Sequence, residues 1–368
     1  MERFGLTTTI VPTQASREGR RLQFLDAARG IAAFAVMVQH SLEATVPSFL
    51  PWSVHHVNFG AFGVVMFFLV SGFIIPVSID RAGKLTLFWE SRFFRLYPMY
   101  WVSLIATLGL GYFKLISLAP QFFSHPITMS LVNVTMFQTF LHVPDALGVY
   151  WTLSLELLFY IVCSVLFAAG WLRRSLLWAW MAVGAMAFSA LIFGLVFHRS
   201  LPAGRLGLLV TAFVGTAIYS AYSDQLNKKN LYSLLAGLLL ALLIGFWFRF
   251  HVYPSKTDVE AWNMAGVSVS WGLAYGVFGF LLMVRDRQFP KWILWIGRIS
   301  YSLYLVHGLV LFLLPKSLNP VIFVVAVVGL SMAISGLTYE FVEKPAIAFH
   351  RNRMSALRLR REPSLSTR

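Results

Sequence analysis

The sequence predicts an all-α integral-membrane protein, a polytopic bundle of about ten transmembrane helices. Of its 368 residues, 58 % are hydrophobic and only 12 % are charged, whereas a soluble domain averages roughly 45–50 % apolar and about 25 % charged residues. The apolar residues also fall in blocks of about 17–23, each long enough to cross a hydrocarbon core roughly 30 Å thick. Since so few charges cannot cover a soluble surface, lipid is expected to surround most of the chain.

Ten apolar blocks are predicted to form the spans: 25–42, 60–79, 97–118, 151–169, 176–197, 204–222, 231–249, 264–284, 297–314 and 320–341. Several contain glycine, proline and polar residues, as expected for helices packed on one another around a polar interior. The chain therefore divides into a cytoplasmic amino-terminal tail (1–24), a membrane domain (25–345) and a basic cytoplasmic tail (346–368) that is expected to be disordered.

The distribution of Lys and Arg predicts how the bundle is oriented. With the amino terminus inside, 23 of the 30 basic residues lie on the inner side, 6 lie on the outer side and Arg29 lies within a span. This asymmetry predicts that both termini are cytoplasmic. It also accounts for the net charge of +15 without a nucleic-acid partner, because the basic side faces anionic membrane lipids.

The first span carries two ionisable residues on one helix face, Arg29 and His40, eleven residues apart. That spacing is almost three turns, or roughly 16 Å along the axis. Such residues indicate a functional site, because a charge at the membrane centre costs roughly 2.5–3.5 kcal/mol or more. Asp26, one turn before Arg29, is expected to pair with it. The alternatives are an arginine that reaches the inner head groups and a histidine at the membrane interface.

Two polar stripes are predicted in other spans, Thr152, Glu156 and Tyr160 in the fourth, and Ser300, Tyr304 and His307 in the ninth. Residues three or four positions apart share a helix face, so each stripe lines one side of its helix. If these helices surround a common cavity, His40, Glu156 and His307 meet there. The alternative is that the three residues are separate polar groups with local partners.

Two arginines, Arg92 and Arg95, precede the third span at positions i and i+3, beside aromatic residues. The planar guanidinium group is suited to binding phosphate. The alternative is an ordinary basic anchor that only sets the topology.

Six segments form a pattern whose order and spacing are more specific than any one of them. They are Leu25 to His40, Gly60 to Phe73, Arg92 to Pro98, Trp151 to Tyr160, Gly297 to His307, and Glu343 to Pro345. Each is weakly specific alone. As a set they resemble the acyltransferase-3 family, from Phe24 to about Pro345. The first segment supplies an arginine and a histidine separated by ten residues.

The resemblance implies an O-acyltransferase of the bacterial inner membrane that modifies cell-surface polysaccharides, lipid-linked sugars, nodulation signals or macrolides. The implied donor is acyl-CoA, usually acetyl-CoA and in some relatives a succinyl donor. The implied partners are this donor, a glycan or lipid-linked sugar acceptor and membrane lipids. The sequence identifies neither the acceptor nor the oligomeric state.

The resemblance also implies roles for individual residues of this chain. His40 is the implied catalytic histidine, and Glu156 is expected to act beside it. Arg29, Arg92 and Arg95 are expected to bind the donor. Four residues in the matching segments are expected to bind or orient the substrates: Ser71, Trp151, Tyr304 and His307. No metal is expected.

Two chemical roles stay open for His40. An imidazole, with an unperturbed pKa near 6.5, suits a general base for the acceptor hydroxyl. It could equally carry the acyl group covalently. A different class of function, a transporter or flippase of a sugar or lipid, would use the buried Arg, Glu and His for substrate or proton coupling. The apparent lack of an inverted repeat in the sequence argues against it.

Overall fold

The computed structural model describes residues 22–253 and 263–359, and within these ranges the chain is helical without a strand. In chain order the helices are α1 Gln23–Thr45, α2 Phe49–His55, α3 Phe59–Ala82, α4 Leu85–Tyr112, α5 Gln121–Ser124, α6 Pro126–Val134, α7 Trp151–Ala168, α8 Ser175–Leu195, α9 Ala203–Tyr222, α10 Lys228–Trp247, α11 Met264–Met283, α12 Lys291–Leu313, α13 Pro320–Thr338 and α14 Lys344–Leu359. Short π-helical turns, Phe248–Val252 and Tyr339–Glu343, continue α10 and α13.

All ten predicted spans form long helices, and nine of those within the described ranges are apolar enough to cross a membrane. The tenth, α1, has 23 residues, or about 35 Å at 1.5 Å per residue, which also suffices. Its hydropathy is lowered by polar residues such as Asp26, Arg29 and Gln39. Because α1 packs against α3, α12 and α13, neighbouring helices rather than lipid surround much of it. The prediction of a polytopic helical membrane bundle is confirmed.

The contact between α1 and α12 forms the centre of the bundle and depends on two glycines. A Cβ atom on Gly297 would lie 2.0 Å from the carbonyl oxygen of Asp26, and one on Gly30 would lie 2.9 Å from the backbone nitrogen of Gly297. The two backbones therefore approach too closely for any side chain, which is typical of packing between membrane helices. This contact positions the polar residues of both helices.

Two predicted boundaries were wrong. The third span was predicted to begin at residue 97, but α4 begins at Leu85 and runs through Pro98, so Arg92 and Arg95 lie on a helix. The tail after residue 345 was predicted to be disordered, but α14 continues to Leu359. It is held there because the rings of Phe349 and His350 pack 5.5 and 5.6 Å from the ring of Phe94. Residues 1–21 and 360–368 lie outside the described part of the chain, as do the tail predictions made for them.

Candidate active site

A narrow cavity inside the bundle contains most of the predicted site residues. It has a volume of about 100 Å³ and lies between α1, α3, α4, α7 and α12. Six of the nine predicted residues line it: Arg29, Ser71, Arg92, Arg95, Glu156 and Tyr304. Sites that enclose drug-sized ligands measure roughly 300–1,000 Å³, so this cavity can admit a slender chain but not a sugar ring.

Two of the cavity arginines are held by neighbours on their own or an adjacent helix. Arg29 pairs with Asp26 at 3.6 Å, which confirms the predicted ion pair one turn apart. Arg92 donates from Nη2 to the hydroxyl of Ser78 at 3.4 Å, and its guanidinium lies 5.6 Å from the ring centre of Phe88. Neither contact neutralises Arg92, so its charge remains available to an anion.

The third arginine, Arg95, lies 3.7 Å from the fully buried carboxylate of Glu343. The other oxygen of that carboxylate accepts hydrogen bonds from the backbone nitrogen of Ser302, at 3.0 Å, and from the Ser302 hydroxyl. Tyr301 donates to the carbonyl oxygen of Leu96 at 2.9 Å. These contacts fasten the arginine-bearing part of α4 to α12. A buried carboxylate is stable only with such partners.

Glu156 lies deep in the cavity and has two hydroxyl partners. Its Oε1 accepts hydrogen bonds from Ser71 at 2.7 Å and from Tyr160 at 2.6 Å. The predicted stripe of the fourth span, which includes Tyr160, therefore does face one cavity. Glu156 does not hydrogen-bond to either histidine. Of the three residues predicted to meet in one cavity, only His40 and His307 contact each other.

Tyr304 joins the cavity to the histidines. Its hydroxyl is 2.8 Å from that of Thr152, and both hydroxyls can donate to the carbonyl oxygen of Val149. Its ring centre lies 5.9 Å from that of His307, one turn further along α12. The lining of the cavity therefore ends at Tyr304, and the histidines lie directly beyond it.

His40 and His307 form a stacked pair whose hydrogen bonds run in one direction. Nδ1 of His307 is 3.0 Å from the carbonyl oxygen of Leu303, which can only accept, so this nitrogen carries a proton. In a neutral His307, Nε2 is then an acceptor, and Nδ1 of His40, 3.1 Å away, donates to it. A neutral His40 is left with an unprotonated Nε2. Nε2 lies beside Gly60, 3.9 Å from the position that a Cβ atom on this glycine would take, and His40 is half-buried.

The ninth predicted residue, Trp151, is not in the cavity. It begins α7, and the guanidinium of Arg205 lies 5.6 Å from its ring centre. Trp151 could contact a substrate of the cavity only if that substrate extended to the beginning of α7.

The prediction of site residues missed Glu343 as the partner of Arg95. Glu343 appeared only as part of a matching segment, Glu343 to Pro345. The available signal was an acidic residue just after an apolar span, at the level of several arginines. An unpaired carboxylate there would be costly, so a cationic partner could have been sought.

The comparison with protein families decides what kind of protein carries this cavity. A family model described as an acyltransferase domain, acyltransferase-3, matches residues 22–340. The chain belongs to the acyltransferase-3 family. It is therefore a membrane-embedded O-acyltransferase, and the transporter alternative is set aside.

Individual relatives of this acyltransferase are distant. Nodulation protein 10 of Rhizobium leguminosarum bv. viciae is 26 % identical over 91 % of this chain and 96 % of the relative. The O-acetyl transferase of Shigella phage Sf6 is 30 % identical over 38 % of this chain and 44 % of the relative. Exopolysaccharide production protein ExoZ of Rhizobium meliloti (strain 1021) is 33 % identical over 29 % and 34 %. No solved structure matches the chain.

Proposed function

We propose that this enzyme transfers an acetyl group from acetyl-CoA to a hydroxyl group of a cell-surface polysaccharide, lipid-linked sugar or related glycan. The proposal rests mainly on the arrangement of the cavity, which begins among three arginines and ends at Tyr304, one turn from His307. His307 pairs with His40, and this pairing leaves Nε2 of a neutral His40 unprotonated. The acceptor class is supported by relatives that are named for O-acetyl transfer and exopolysaccharide production.

The donor would approach from the basic side of the bundle. We place that side in the cytoplasm of a bacterial inner membrane, because 23 of the 30 Lys and Arg residues lie there. Acyl-CoA is made in the cytoplasm and carries several phosphates, which Arg92 and Arg95 would bind. The extended pantetheine arm suits the narrow cavity, and it would bring the thioester to Tyr304.

In the proposed reaction, Nε2 of His40 removes the proton of the acceptor hydroxyl. The hydroxyl oxygen then bonds to the thioester carbonyl carbon, the carbon–sulfur bond breaks, and CoA leaves as a thiolate that takes up a proton. The products are the O-acetyl ester and CoA. Because a sugar ring does not fit the inner cavity, the acceptor would reach His40, which is half-buried, from the outer side of the membrane.

The basic test is acetyl transfer by the purified protein in lipid nanodiscs. With acetyl-CoA and surface glycan, we expect free CoA thiol to appear in step with O-acetyl ester measured by mass spectrometry. Thiol release without ester would indicate hydrolysis only. Passage of the glycan across vesicle membranes without acetylation would contradict the proposal.

His307 is proposed to be a positioning residue that keeps the proton of His40 on Nδ1. His307→Phe preserves ring packing but removes the acceptor, so the reactive tautomer of His40 is no longer favoured. We expect kcat to fall about tenfold, the equivalent of one lost hydrogen bond, while the KM for acetyl-CoA stays unchanged. His307→Gln, which offers a carbonyl oxygen, should restore part of kcat. A wild-type kcat in His307→Phe would refute the positioning role.

Arg92 is proposed to bind a donor phosphate. Arg92→Gln removes one charge-assisted contact, so the KM for acetyl-CoA is expected to rise about 10- to 100-fold with kcat largely kept. Arg298→Gln is the matched control, because Arg298 lies on the same predicted side of the membrane but is exposed and does not line the cavity. Steady-state kinetics at varied acetyl-CoA measure both. Equal KM values for the two variants would remove Arg92 from the donor site.

A further inference from the structure

A second and larger cavity lies at the basic side of the bundle. Its volume is about 410 Å³, and it is bounded by the end of α3, the first turns of α4 and the carboxyl-terminal helix α14. Three arginines line it: Arg81, Arg92 and Arg351. No carboxylate is among its lining residues in the described part of the chain. The volume falls within the roughly 300–1,000 Å³ of small-molecule sites.

Two buried nitrogen atoms at this cavity lack hydrogen-bond partners. They are Nε of Arg92 and Nδ1 of His350. His350 is held by its stacking on Phe94, with ring planes 19° apart, so its ring is fixed at the cavity rather than free to turn to solvent. Buried polar atoms normally have a partner, and two unpartnered atoms at one cavity point to a polar ligand there.

The second cavity is adjacent to the first, because Arg92 lines both. Its lining also includes apolar residues from both sides, among them Leu87 and Phe88 on α4 and Met354 on α14. A ligand here would therefore have several negative charges and an apolar, flat portion. It would also lie next to the narrow cavity that leads to Tyr304.

From this geometry we infer that the second cavity binds the nucleotide end of acyl-CoA, the 3′-phosphorylated adenosine diphosphate. The inference rests on the proposed function, since it takes acyl-CoA as the donor. In this inference, the planar guanidinium groups of Arg81 and Arg351 bind phosphate oxygens. Arg92, which lines both cavities, binds a phosphate oxygen between them, and His350 hydrogen-bonds to another. The adenine contacts the apolar lining. The pantetheine arm then enters the narrow cavity past Arg92, so α14 forms part of the donor site.

A phosphate group could also come from an anionic lipid, because this basic side of the bundle is the one predicted to face the inner head groups. The two sources differ in what they deliver. If the nucleotide end of the donor binds here, changes in the cavity alter the KM for acyl-CoA. If a lipid phosphate binds here, the activity depends on the lipid composition of the membrane instead.

The test uses the full chain in nanodiscs and the double variant Arg81→Gln/Arg351→Gln. Two donors are compared, acetyl-CoA and S-acetyl-4′-phosphopantetheine, which lacks the nucleotide. For the double variant we expect the KM for acetyl-CoA to rise at least about tenfold. Kinetics with S-acetyl-4′-phosphopantetheine should match those of the wild type. The control is Arg353→Gln, since Arg353 lies on α14 but does not line the cavity, and it should leave both donors unaffected.

Adenosine 3′,5′-bisphosphate serves as a second probe. It should inhibit the wild type competitively with acetyl-CoA, and the inhibition constant should be about tenfold weaker for the double variant. An unchanged KM and unchanged inhibition in the double variant, with a wild type that acetylates normally, overturn the nucleotide site and leave the proposed function intact. A wild type that is inactive with every donor refutes the proposed function itself. If the defect appears only in nanodiscs with phosphatidylglycerol and not in phosphatidylcholine alone, the cavity binds a lipid phosphate and the inference is overturned.

Discussion

His40→Ala is expected to lower the kcat of acetyl transfer by about 10²–10⁴-fold, the usual contribution of a general base. The reason is that the unprotonated Nε2 of His40 is the proposed proton acceptor for the attacking hydroxyl, and the hydrogen-bond chain through His307 favours that tautomer. The KM for acetyl-CoA should change little, because the arginines proposed to bind its phosphates lie at the other end of the cavity. The measurement is initial-rate CoA release at varied donor, with product identified by mass spectrometry.

Another histidine provides the control for this result. His55 lies on the short helix α2, is exposed, and makes one local contact of 2.7 Å with the carbonyl oxygen of Pro51. His55→Ala should retain the wild-type kcat. If His40→Ala also retains it while the protein stays folded, His40 has no catalytic role. If incubation with labelled acetyl-CoA leaves label on the wild-type protein that is absent from His40→Ala, the covalent role replaces the general-base role.

The helices themselves were largely predictable because the membrane imposes a strict length and apolarity on each span. The errors occurred where packing overrides hydropathy. Charged and aromatic residues from Leu85 onward indicated a loop, yet they form the first turns of α4, where Phe88 is buried and Phe94 packs against α14. Likewise α14 has a polar composition that suggested disorder, and only its contacts with Phe94 show why it is ordered up to Leu359.

The site could be predicted in part. Helical spacing correctly placed Glu156 and Tyr304 on cavity-facing stripes, but spacing within a helix says nothing about rotation relative to other helices. The pairing of His40 with His307, 267 residues apart, therefore required the structure, as did the pairing of Arg95 with Glu343. Trp151 shows the opposite case, a residue in a matching segment that does not face the cavity.

The order of groups through the bundle gives the proposed chemistry its direction. The second cavity and the narrow cavity share Arg92, and the narrow cavity ends at Tyr304, one turn from His307. A donor bound in this way would present its thioester far from the compartment in which it was made. In the proposed arrangement the acceptor reaches His40, which is half-buried, from the outer side, so it needs no route through the protein.

Gly297→Ala is expected to damage both the fold and the reaction, because it forces apart the two helices that carry the histidine pair. The added Cβ would lie 2.0 Å from the carbonyl oxygen of Asp26, where real contacts are essentially never under 3.0 Å. Since the obstacle is backbone, α1 and α12 must separate by about 1 Å. Such overpacking typically costs about 1–3 kcal/mol, and a 1 Å misplacement can cost about 10²-fold in rate.

Gly329→Ala is the matched control, because Gly329 lies on the exposed face of α13 and nothing lies within 4 Å of its Cβ position. Thermal unfolding in nanodiscs should show a lower Tm for Gly297→Ala and little change for Gly329→Ala. Below its unfolding temperature, the folded Gly297→Ala protein should still lose about 10²-fold in kcat, because His40 and His307 no longer keep their 3.1 Å contact. A variant with lower Tm and wild-type kcat would mean that the reaction does not depend on the spacing of α1 and α12, and the histidine pair could not then be the catalytic unit.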